Sequence, residues 1–230
     1  MCGRFARYSL SRELERYFNA HPAALELQPN YNVAPTQEIP VIVIHEDERH
    51  IKKRHWGLVP FWDKDISIGS RMINARVETV TSKPAFRAAL KQRRCLIPAD
   101  GFYEWQGKSG SKQPYYFHLP SGEPFAFAGL YEVWEDKKAP PEAGPYKSCT
   151  IITTDASESV KDIHNRMPLI LKPEAYDAWL DPSNKEPAKI EELLNTANVK
   201  ELKRYPVSKL VNQVGNNKKE CMEPLKEVGD

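Results

Sequence analysis

The first residues of the chain can supply an unusual pair of nucleophiles. Cys2 follows Met1, so removal of the initiator methionine would leave an α-amine and a thiol on adjacent carbons. An α-amine has a reference pKa of about 7.7 to 8.0, so part of it is neutral near neutral pH and can attack an aldehyde. The thiol would then close a thiazolidine on the imine, because intramolecular delivery is strongly favoured. The ordinary alternative is that residue 2 is simply small, and other parts of the chain must decide.

Two further residues are candidates for proton transfer. Glu104 stands in the run Phe102-Tyr103-Glu104-Trp105, where aromatic rings would desolvate the carboxylate and raise its pKa. His164 precedes Pro168, which is expected to end a short helix and leave the imidazole at the mouth of a loop. A surface glutamate and a structural histidine are the common alternatives.

Amide, cationic and aromatic side chains occur between these positions. In a predicted strand over residues 71–79, Asn74, Arg76 and Glu78 alternate with apolar residues and would share one face. A solvated strand face explains that pattern equally well. Phe61 and Trp62 follow a strand predicted over residues 51–58. Aromatic residues there usually pack in a core, but beside arginines they would offer a stacking platform for a base or sugar.

The composition is that of a soluble globular protein. The chain has 230 residues, 28% of them charged and 40% hydrophobic, with a formal net charge of +2, which predicts one generous domain. The small net charge means that any nucleic-acid site must be a local basic patch. The absence of a long apolar run or signal-like N-terminus predicts a cytosolic protein. Four scattered cysteines without a Cys-x-x-Cys pair argue against a zinc site and a disulfide framework.

The candidate residues must be positioned by a mixture of strands and short helices. Period-two patterns predict strands, and capping residues and apolar spacing predict helices. The predicted strands cover residues 39–44, 51–58, 71–79, 95–99, 115–119, 125–131 and 148–154. The predicted helices cover residues 11–19, 84–92, 155–162, 173–180 and 190–194, with Ser11 as the cap of the first.

Four separated motifs together carry a resemblance. They are Met1-Cys2-Gly3-Arg4, Asn74-Ala75-Arg76-Val77-Glu78-Thr79, Ala99-Asp100-Gly101-Phe102-Tyr103-Glu104-Trp105 and Asp162-Ile163-His164-Asn165-Arg166-Met167-Pro168. In this order they resemble the abasic-site-processing family, also called SOS-response-associated peptidases. The resemblance extends over nearly the whole chain, including Tyr31-Asn32-Val33-Ala34-Pro35, Trp56-Gly57-Leu58-Val59-Pro60 and Pro206-Val207-Ser208.

The family resemblance implies an architecture and an activity. The implied fold is α+β, with a strongly bent mixed β-sheet surrounded by short helices in a single domain over residues 1–222. Residues 223–230 are expected to form a flexible tail. The implied function is a DNA-damage response in which a cytoplasmic, nucleoid-associated monomer binds single-stranded DNA and traps abasic sites covalently. No membrane, cofactor or metal is expected to take part.

Residue by residue, the resemblance implies four catalytic positions and a DNA-contacting set. Cys2 would be the crosslinking nucleophile, Asn74 would position it, Glu104 would be the acid or base, and His164 would lie near the deoxyribose. The chemistry would be lyase-like imine formation, and the peptidase name would refer only to autocatalytic removal of Met1. The implied DNA-binding residues are Arg4, Pro35, Phe61, Trp62, Arg76 and Arg166.

One position departs from the family pattern. Phe61 stands where some relatives have tryptophan, so stacking stays available while an indole hydrogen bond is lost. The expected sequence-independent groove would follow a single strand through phosphate contacts and stacking.

Two other functions compete with this hypothesis. An N-terminal Met-Cys-Gly also opens glutamine amidotransferases, amidohydrolases in which the Cys thiol attacks an amide with its own α-amine as base. Those enzymes usually carry a downstream Asn-Gly-Glu segment, and this sequence contains no Asn-Gly. A non-covalent binder of single-stranded DNA would not need Cys2 at all.

Overall fold

The computed structural model describes residues 2–22, 26–108, 110–136, 140, 142 and 144–225. No helix within these ranges is long and apolar enough to cross a membrane. Met1 and residues 226–230 of the predicted tail lie outside the described residues. The start of that tail contacts the fold, since the Leu225 N–H donates to the Pro206 carbonyl at 2.9 Å.

The described residues form α-helices, 3₁₀ helices and strands in the following order. The α-helices are α1 (Ser11–Phe18), α2 (Pro84–Gln92), α3 (Tyr176–Leu180) and α4 (Pro187–Thr196). The 3₁₀ helices cover Ile66–Arg71, Pro173–Ala175, Lys209–Asn212 and Lys219–Cys221. The strands are β1 (Phe5–Arg7), β2 (Asn30–Val33), β3 (Glu38–His45), β4 (Glu48–Trp56), β5 (Asn74–Arg76), β6 (Arg94–Ala99), β7 (Gly101–Gln106), β8 (Gln113–His118), β9 (Phe125–Trp134), β10 (Tyr146–Asp155), β11 (Arg166–Pro168), β12 (Ile170–Leu171) and β13 (Lys203–Pro206).

The larger sheet curls until it closes on itself. Its spatial order is β11-β10-β4-β3-β6-β9-β12, and β10 also pairs with β9. Among the described residues, β10, β4, β3, β6 and β9 therefore form a closed ring. The β4 and β10 strands run parallel, whereas β3 runs antiparallel to both of its neighbours. This confirms the predicted α+β fold with a strongly bent mixed sheet.

The smaller sheet has the order β13-β8-β7-β1-β2 and lies against the ring. The chain passes from one sheet to the other at Asp100, between β6 and β7. The Asp100 carboxylate accepts the Tyr8 and Ser9 backbone N–H groups at 2.6 and 2.9 Å and fixes this crossing. The next residue is Gly101, and no larger residue fits there, because a Cβ at this position would lie 2.2 Å from the Tyr116 ring.

Apolar residues of the ring strands fall into two clusters. In β3, Ile42 packs with the helix residues Phe18, Phe86 and Trp179. The neighbouring Val41 belongs to the second cluster, with residues of the smaller sheet. This alternation follows from the period of two along a strand. The second cluster includes Cys2, Phe5, Trp56, Phe102 and Phe127, so the N-terminus is anchored between the sheets.

Several local predictions require correction. The helix predicted over residues 155–162 is wrong: the segment forms turns, and Arg166–Pro168 pairs with β10. The strand predicted over residues 71–79 is only β5, and Glu78 lies in the following turn. Leu10, not Ser11, is the N-cap of α1, and its N–H donates to the Glu13 carboxylate at 2.7 Å.

Candidate active site and nucleic-acid interface

Cys2 lies three residues before β1 and is fully buried. Phe5 pairs with Phe102 in the antiparallel contact of β1 with β7, and extension of this register places Gly3 opposite Glu104. On the other side, the Asn74 side-chain N–H donates to the Cys2 carbonyl at 2.8 Å. The structure therefore brings Cys2, Asn74 and Glu104 together from three separate motifs.

Glu104 is buried on β7, with only 4% of its surface exposed. Burial raises the pKa of its carboxyl to about 7, because the charged form loses solvation. Burial and the neighbouring Glu104 carboxylate raise the pKa of the Cys2 thiol well above its ordinary value. Near neutral pH the thiol is thus protonated, while Glu104 can both accept and donate a proton.

His164 faces Glu104 across the site. Its Nε2 lies 4.0 Å from Glu104 Oε2, and its Nδ1 lies 2.9 Å from the Arg166 N and 3.0 Å from the Arg166 carbonyl oxygen. The Arg166 backbone thus fixes the ring orientation. Burial lowers the pKa of His164, which favours a neutral imidazole near pH 7.

An open cavity of about 720 Å³ gives access to these groups. Glu104 and His164 lie in its wall beside three cations, Arg4, Lys112 and Lys209. The remaining lining residues are Gly3, Trp105, Gly110 and Asn212. Lys112 and Lys209 are exposed and were not among the sequence candidates. Lys209 directly follows the Pro206-Val207-Ser208 motif, which is the one signal that points to it.

Arg4 is held rigidly in this wall. Its Nη1 donates to Asn32 Oδ1 at 2.8 Å and also to the Val211 carbonyl. The guanidinium carbon lies 5.8 Å from the centroid of the Trp105 ring. Trp105 in turn donates from Nε1 to Asn212 Oδ1 at 2.8 Å. The positive charge is therefore preorganised at the cavity.

The two other predicted arginines differ from each other. Arg76 is exposed at the end of β5. The Arg166 side chain is only 11% exposed, and its Nη1 lies 2.5 Å from a Glu78 oxygen and 2.6 Å from an Asp155 oxygen. Those two carboxylates neutralise the Arg166 guanidinium, so its predicted phosphate contact stays a prediction.

The predicted aromatic pair is exposed. Phe61 and Trp62 have 56% and 52% of their surface accessible, in the loop after β4. Pro35 is half-buried, and its neighbour Thr36 donates its N–H to the Trp56 carbonyl at 2.8 Å. The exposure leaves the two rings available for contact, rather than committed to a core.

A close backbone contact fixes the start of the aromatic loop. Gly57 has φ of +140°, and a Cβ there would lie 2.5 Å from the Gly69 carbonyl oxygen. Trp56 next to it donates from Nε1 to the Ile73 carbonyl at 2.9 Å. Because Ile73 precedes Asn74, the loop is coupled directly to the strand that contacts Cys2.

The family model of SRAP, the SOS response associated peptidases, matches residues 1–214. The chain belongs to this family. One SRAP relative, the abasic site processing protein YoqW of Bacillus subtilis, is 44% identical over 226 residues, 97% of this chain and 99% of that protein. The abasic site processing protein HMCES of Gallus gallus is 35% identical over 230 residues, covering 86% of this chain and 67% of that protein.

A solved structure shares the SRAP architecture. A protein from Bacteroides thetaiotaomicron superposes with a TM-score of 0.85 at 25% identity, covering 97% of this chain and all of that one. The family resemblance carried by the four motifs is therefore confirmed. The roles of the individual site residues are a separate question of chemistry.

Proposed function

We propose that this SRAP protein binds single-stranded DNA and traps abasic sites covalently through Cys2. The observation that carries the proposal is the burial of Cys2 beside Glu104, which has a pKa of about 7 and lines a cationic cavity. An abasic site presents the aldehyde with which an N-terminal 1,2-aminothiol reacts. The names of the relatives, abasic site processing proteins, point to the same substrate.

The first step opens the abasic deoxyribose. The closed hemiacetal must lose its hydroxyl proton while its ring oxygen gains one, which releases the C1′ aldehyde. Glu104 and His164 face each other at 4.0 Å and supply an acceptor and a donor for this transfer. The lowered pKa of His164 favours a neutral imidazole that can accept a proton, and the raised pKa of Glu104 leaves part of the carboxyl protonated to donate one.

The next steps join the protein to C1′. The neutral α-amine of Cys2 adds to the aldehyde carbon, and loss of one water gives the imine, with the proton for the leaving hydroxyl coming from Glu104. The Cys2 sulfur then adds to the imine carbon while its proton passes to the imine nitrogen. The product is a five-membered ring in which C1′ is bonded to both nitrogen and sulfur. The reaction balances, because protein and abasic DNA give the joined product and one water.

Glu104 fits this sequence because the thiol is not ionised beforehand. Burial favours the neutral thiol, so its proton must leave as the carbon–sulfur bond forms. A carboxylate with a pKa of about 7 can accept that proton near neutral pH and return it to nitrogen. Asn74 supports the same step by holding the Cys2 carbonyl at 2.8 Å and fixing the backbone of the nucleophile.

The α-amine becomes available only after Met1 is removed, because the Met1–Cys2 peptide bond otherwise occupies it. We include this removal, catalysed by the same site, in the proposal. A thiol close to a carboxyl group that can act as a base is also an arrangement that can attack a peptide bond. The peptidase activity in the family name would then be self-processing.

The DNA path follows the exposed cations and rings. Arg4, Lys112 and Lys209 lie at the cavity, and Phe61 and Trp62 offer exposed faces for stacking. Phosphate contacts and stacking tolerate any base sequence and suit a flexible single strand. The protein would act as a cytoplasmic monomer that reads the lesion through the space left by the missing base.

The direct test is intact-mass measurement of the purified protein after incubation with single-stranded DNA that contains one abasic site. The expected adduct has the mass of the Met1-free protein plus the DNA minus one water. DNA of the same sequence without a lesion is the control. If the protein binds the abasic DNA but forms no adduct with it, only the non-covalent binding function would remain.

A further inference from the structure

A cluster of metal-ligating side chains lies outside the cavity that Glu104 and His164 line. His21 Nε2 lies 2.8 Å from Glu48 Oε2. The His21 and His50 rings are stacked, with centroids 4.8 Å apart and an angle of 22° between their planes. One ligand atom from each of these three residues lies within 4.8 Å of the other two.

The backbone holds these residues in register. Glu46 and Asp47 have φ angles of 51° and 62° and form the tight turn between β3 and β4, in which His45 pairs with Glu48. Glu48 and His50 are two residues apart on β4 and share a face of the strand. His21 bridges to this strand, because its N–H donates to the Arg49 carbonyl at 2.7 Å and its carbonyl accepts the Ile51 N–H at 3.1 Å.

We propose that His21, Glu48 and His50 form a binding site for a divalent transition-metal ion, with Zn²⁺ as the expected occupant. Two imidazole nitrogens and a carboxylate oxygen are a donor set that zinc accepts. Bonds of about 2.1 Å require the donor atoms to close by roughly an ångström. The His21 and Glu48 side chains are 53% and 61% exposed and can rotate that far.

The surroundings favour a cation. Glu46 and Asp47 place two further carboxylates at the hairpin turn. The His45 ring lies 5.5 Å from the His50 ring, so His45 or a water molecule can complete a tetrahedral shell. Each of the three proposed ligands comes from a position whose backbone is already fixed, which lowers the entropy lost on binding.

The site is structural rather than catalytic. The ion would fasten the segment after α1 to the tip of the β3-β4 hairpin. Cys2 packs in the same cluster as Trp56, at the opposite end of β4. The eight steps along the strand from Glu48 to Trp56 correspond to about 26 Å, so zinc at the hairpin does not touch the proposed crosslinking reaction.

The test is calorimetric titration of chelator-treated full-length protein with Zn²⁺, combined with thermal unfolding. The expected result is one zinc ion per chain and a higher unfolding midpoint with zinc. Substitution of residues that only hydrogen-bond to metal ligands lowers metal affinity by about 10- to 100-fold. His21→Ala, His50→Ala and Glu48→Gln remove ligands themselves, so each should weaken binding by at least that factor.

His55→Ala is the matched control, because His55 is also on β4 but stacks on Tyr146 at 4.6 Å, outside the cluster. Its zinc affinity should equal that of the wild type. The metal-free unfolding midpoints show whether each variant folds. Glu48→Gln changes an exposed side chain with little change in shape, so it tests the site even if a histidine variant fails to fold.

The competing location is the buried Cys2 thiol together with Glu104 and His164 at the cavity wall. Co²⁺ distinguishes the two, because thiolate coordination gives an intense near-ultraviolet charge-transfer band that imidazole and carboxylate ligands lack. If the proposal holds, the Co²⁺-loaded protein shows no such band, and the zinc affinity of Cys2→Ala equals that of the wild type. Zinc affinity that survives in His21→Ala and His50→Ala, or that is lost in Cys2→Ala, would overturn it.

Discussion

His164 Nε2 and Glu104 Oε2 are separated by 4.0 Å, with the glutamate side chain 5% exposed and the histidine side chain 29% exposed. The separation exceeds a hydrogen bond and admits a substrate hydroxyl near both groups. One partner is desolvated and the other opens to the cavity. Burial raises the pKa of Glu104 to about 7 and lowers the pKa of His164 below its ordinary value, so a protonated carboxyl group can face a neutral imidazole near neutral pH.

Glu104→Gln should slow crosslinking by about 10²- to 10⁴-fold at neutral pH, the usual contribution of a general acid or base. The wild-type rate should also change around pH 7, where the Glu104 carboxyl titrates, and the variant should lose that inflection. Single-turnover crosslinking from pH 6 to pH 8 measures both effects.

The exposed Glu123 supplies the matched control for this change, and Glu123→Gln should crosslink at the wild-type rate. An unaltered rate in Glu104→Gln would assign the proton transfers to His164 instead. His164→Ala would then carry the whole loss and would remove the pH inflection that Glu104→Gln retains.

Glu104→Gln should also stabilise the fold at high pH. The Glu104 pKa is about 7 in the folded protein against an ordinary 4.5, so folding favours the protonated acid. Wild-type stability therefore falls as pH rises from about 4.5 to 7. Glu104→Gln should raise the free energy of unfolding by about 3 kcal/mol at pH 8, with little gain at pH 4.5.

Urea unfolding at both pH values measures this difference, again with Glu123→Gln as the control. A gain of equal size at both pH values would mean that packing, rather than ionisation, causes it. A loss at pH 8 would show that the Glu104 carboxylate is stabilised in the fold, contrary to its burial.

Binding to single-stranded DNA should depend on the exposed lysines of the cavity. Each phosphate contact that is lost reduces the slope of log affinity against log salt by about 0.7 for a single strand. Lys112→Ala and Lys209→Ala should each show that reduction, and Arg76→Ala should show it if Arg76 also contacts phosphate. Fluorescence anisotropy at several salt concentrations gives the slopes.

Lys189 on α4 is a suitable control, because it pairs with Glu186, the N-cap of that helix, at 3.3 Å and is 64% exposed. Lys189→Ala should leave the salt slope unchanged. Equal affinity of the wild type for intact duplex and for single strand would count against a groove that follows one strand.

The exposed aromatic pair should contribute to affinity without contributing to stability. Phe61→Ala and Trp62→Ala should each cost about 1–3 kcal/mol in binding single-stranded DNA, the range measured for base stacking. Their unfolding midpoints should stay near the wild-type value, since more than half of each side chain is exposed. Ile66→Ala is the control, because Ile66 is apolar and 46% exposed in the same region but has no ring to stack.

Local patterns predicted much of this fold. Helix α2 covers Pro84–Gln92, as predicted, with Phe86 and Leu90 buried, because proline suits the first turn and the apolar spacing defines one face. The raised pKa of Glu104 also followed from its aromatic neighbours in sequence. These features depend on residues that are close along the chain.

Features that depend on distant residues were missed or wrong. The segment after Asp155 has a helix-like start, yet pairing of Arg166–Pro168 with β10 prevails over a short helix, which is marginal by itself. Lys112 belongs to no motif and reaches the cavity only through the fold. In the proposed metal site, His21 lies 27 positions before Glu48 and 29 before His50. A single parallel bridge between His21 and His50 brings the two parts of the chain together.

The last prediction separates the two nucleophiles of Cys2. Cys2→Ala in a chain that still loses Met1 keeps the α-amine, so it should form an imine with an abasic site but no thiazolidine. Borohydride should capture that imine. The protonated imine should also promote strand cleavage by β-elimination, because it acidifies the neighbouring carbon. Denaturing gels with and without borohydride measure both products.

A chain that retains a residue before Cys2 keeps the thiol but has no amine at that position. It should give no borohydride-dependent adduct through Cys2, and at most a hemithioacetal that dissociates on denaturation. Wild-type protein should give a band that withstands heat without borohydride, because the closed ring holds C1′ through both nitrogen and sulfur. A heat-stable band from the extended chain would show that the α-amine of Cys2 is not the group that reacts. An amidotransferase would give no covalent product with the aldehyde in any of the three forms.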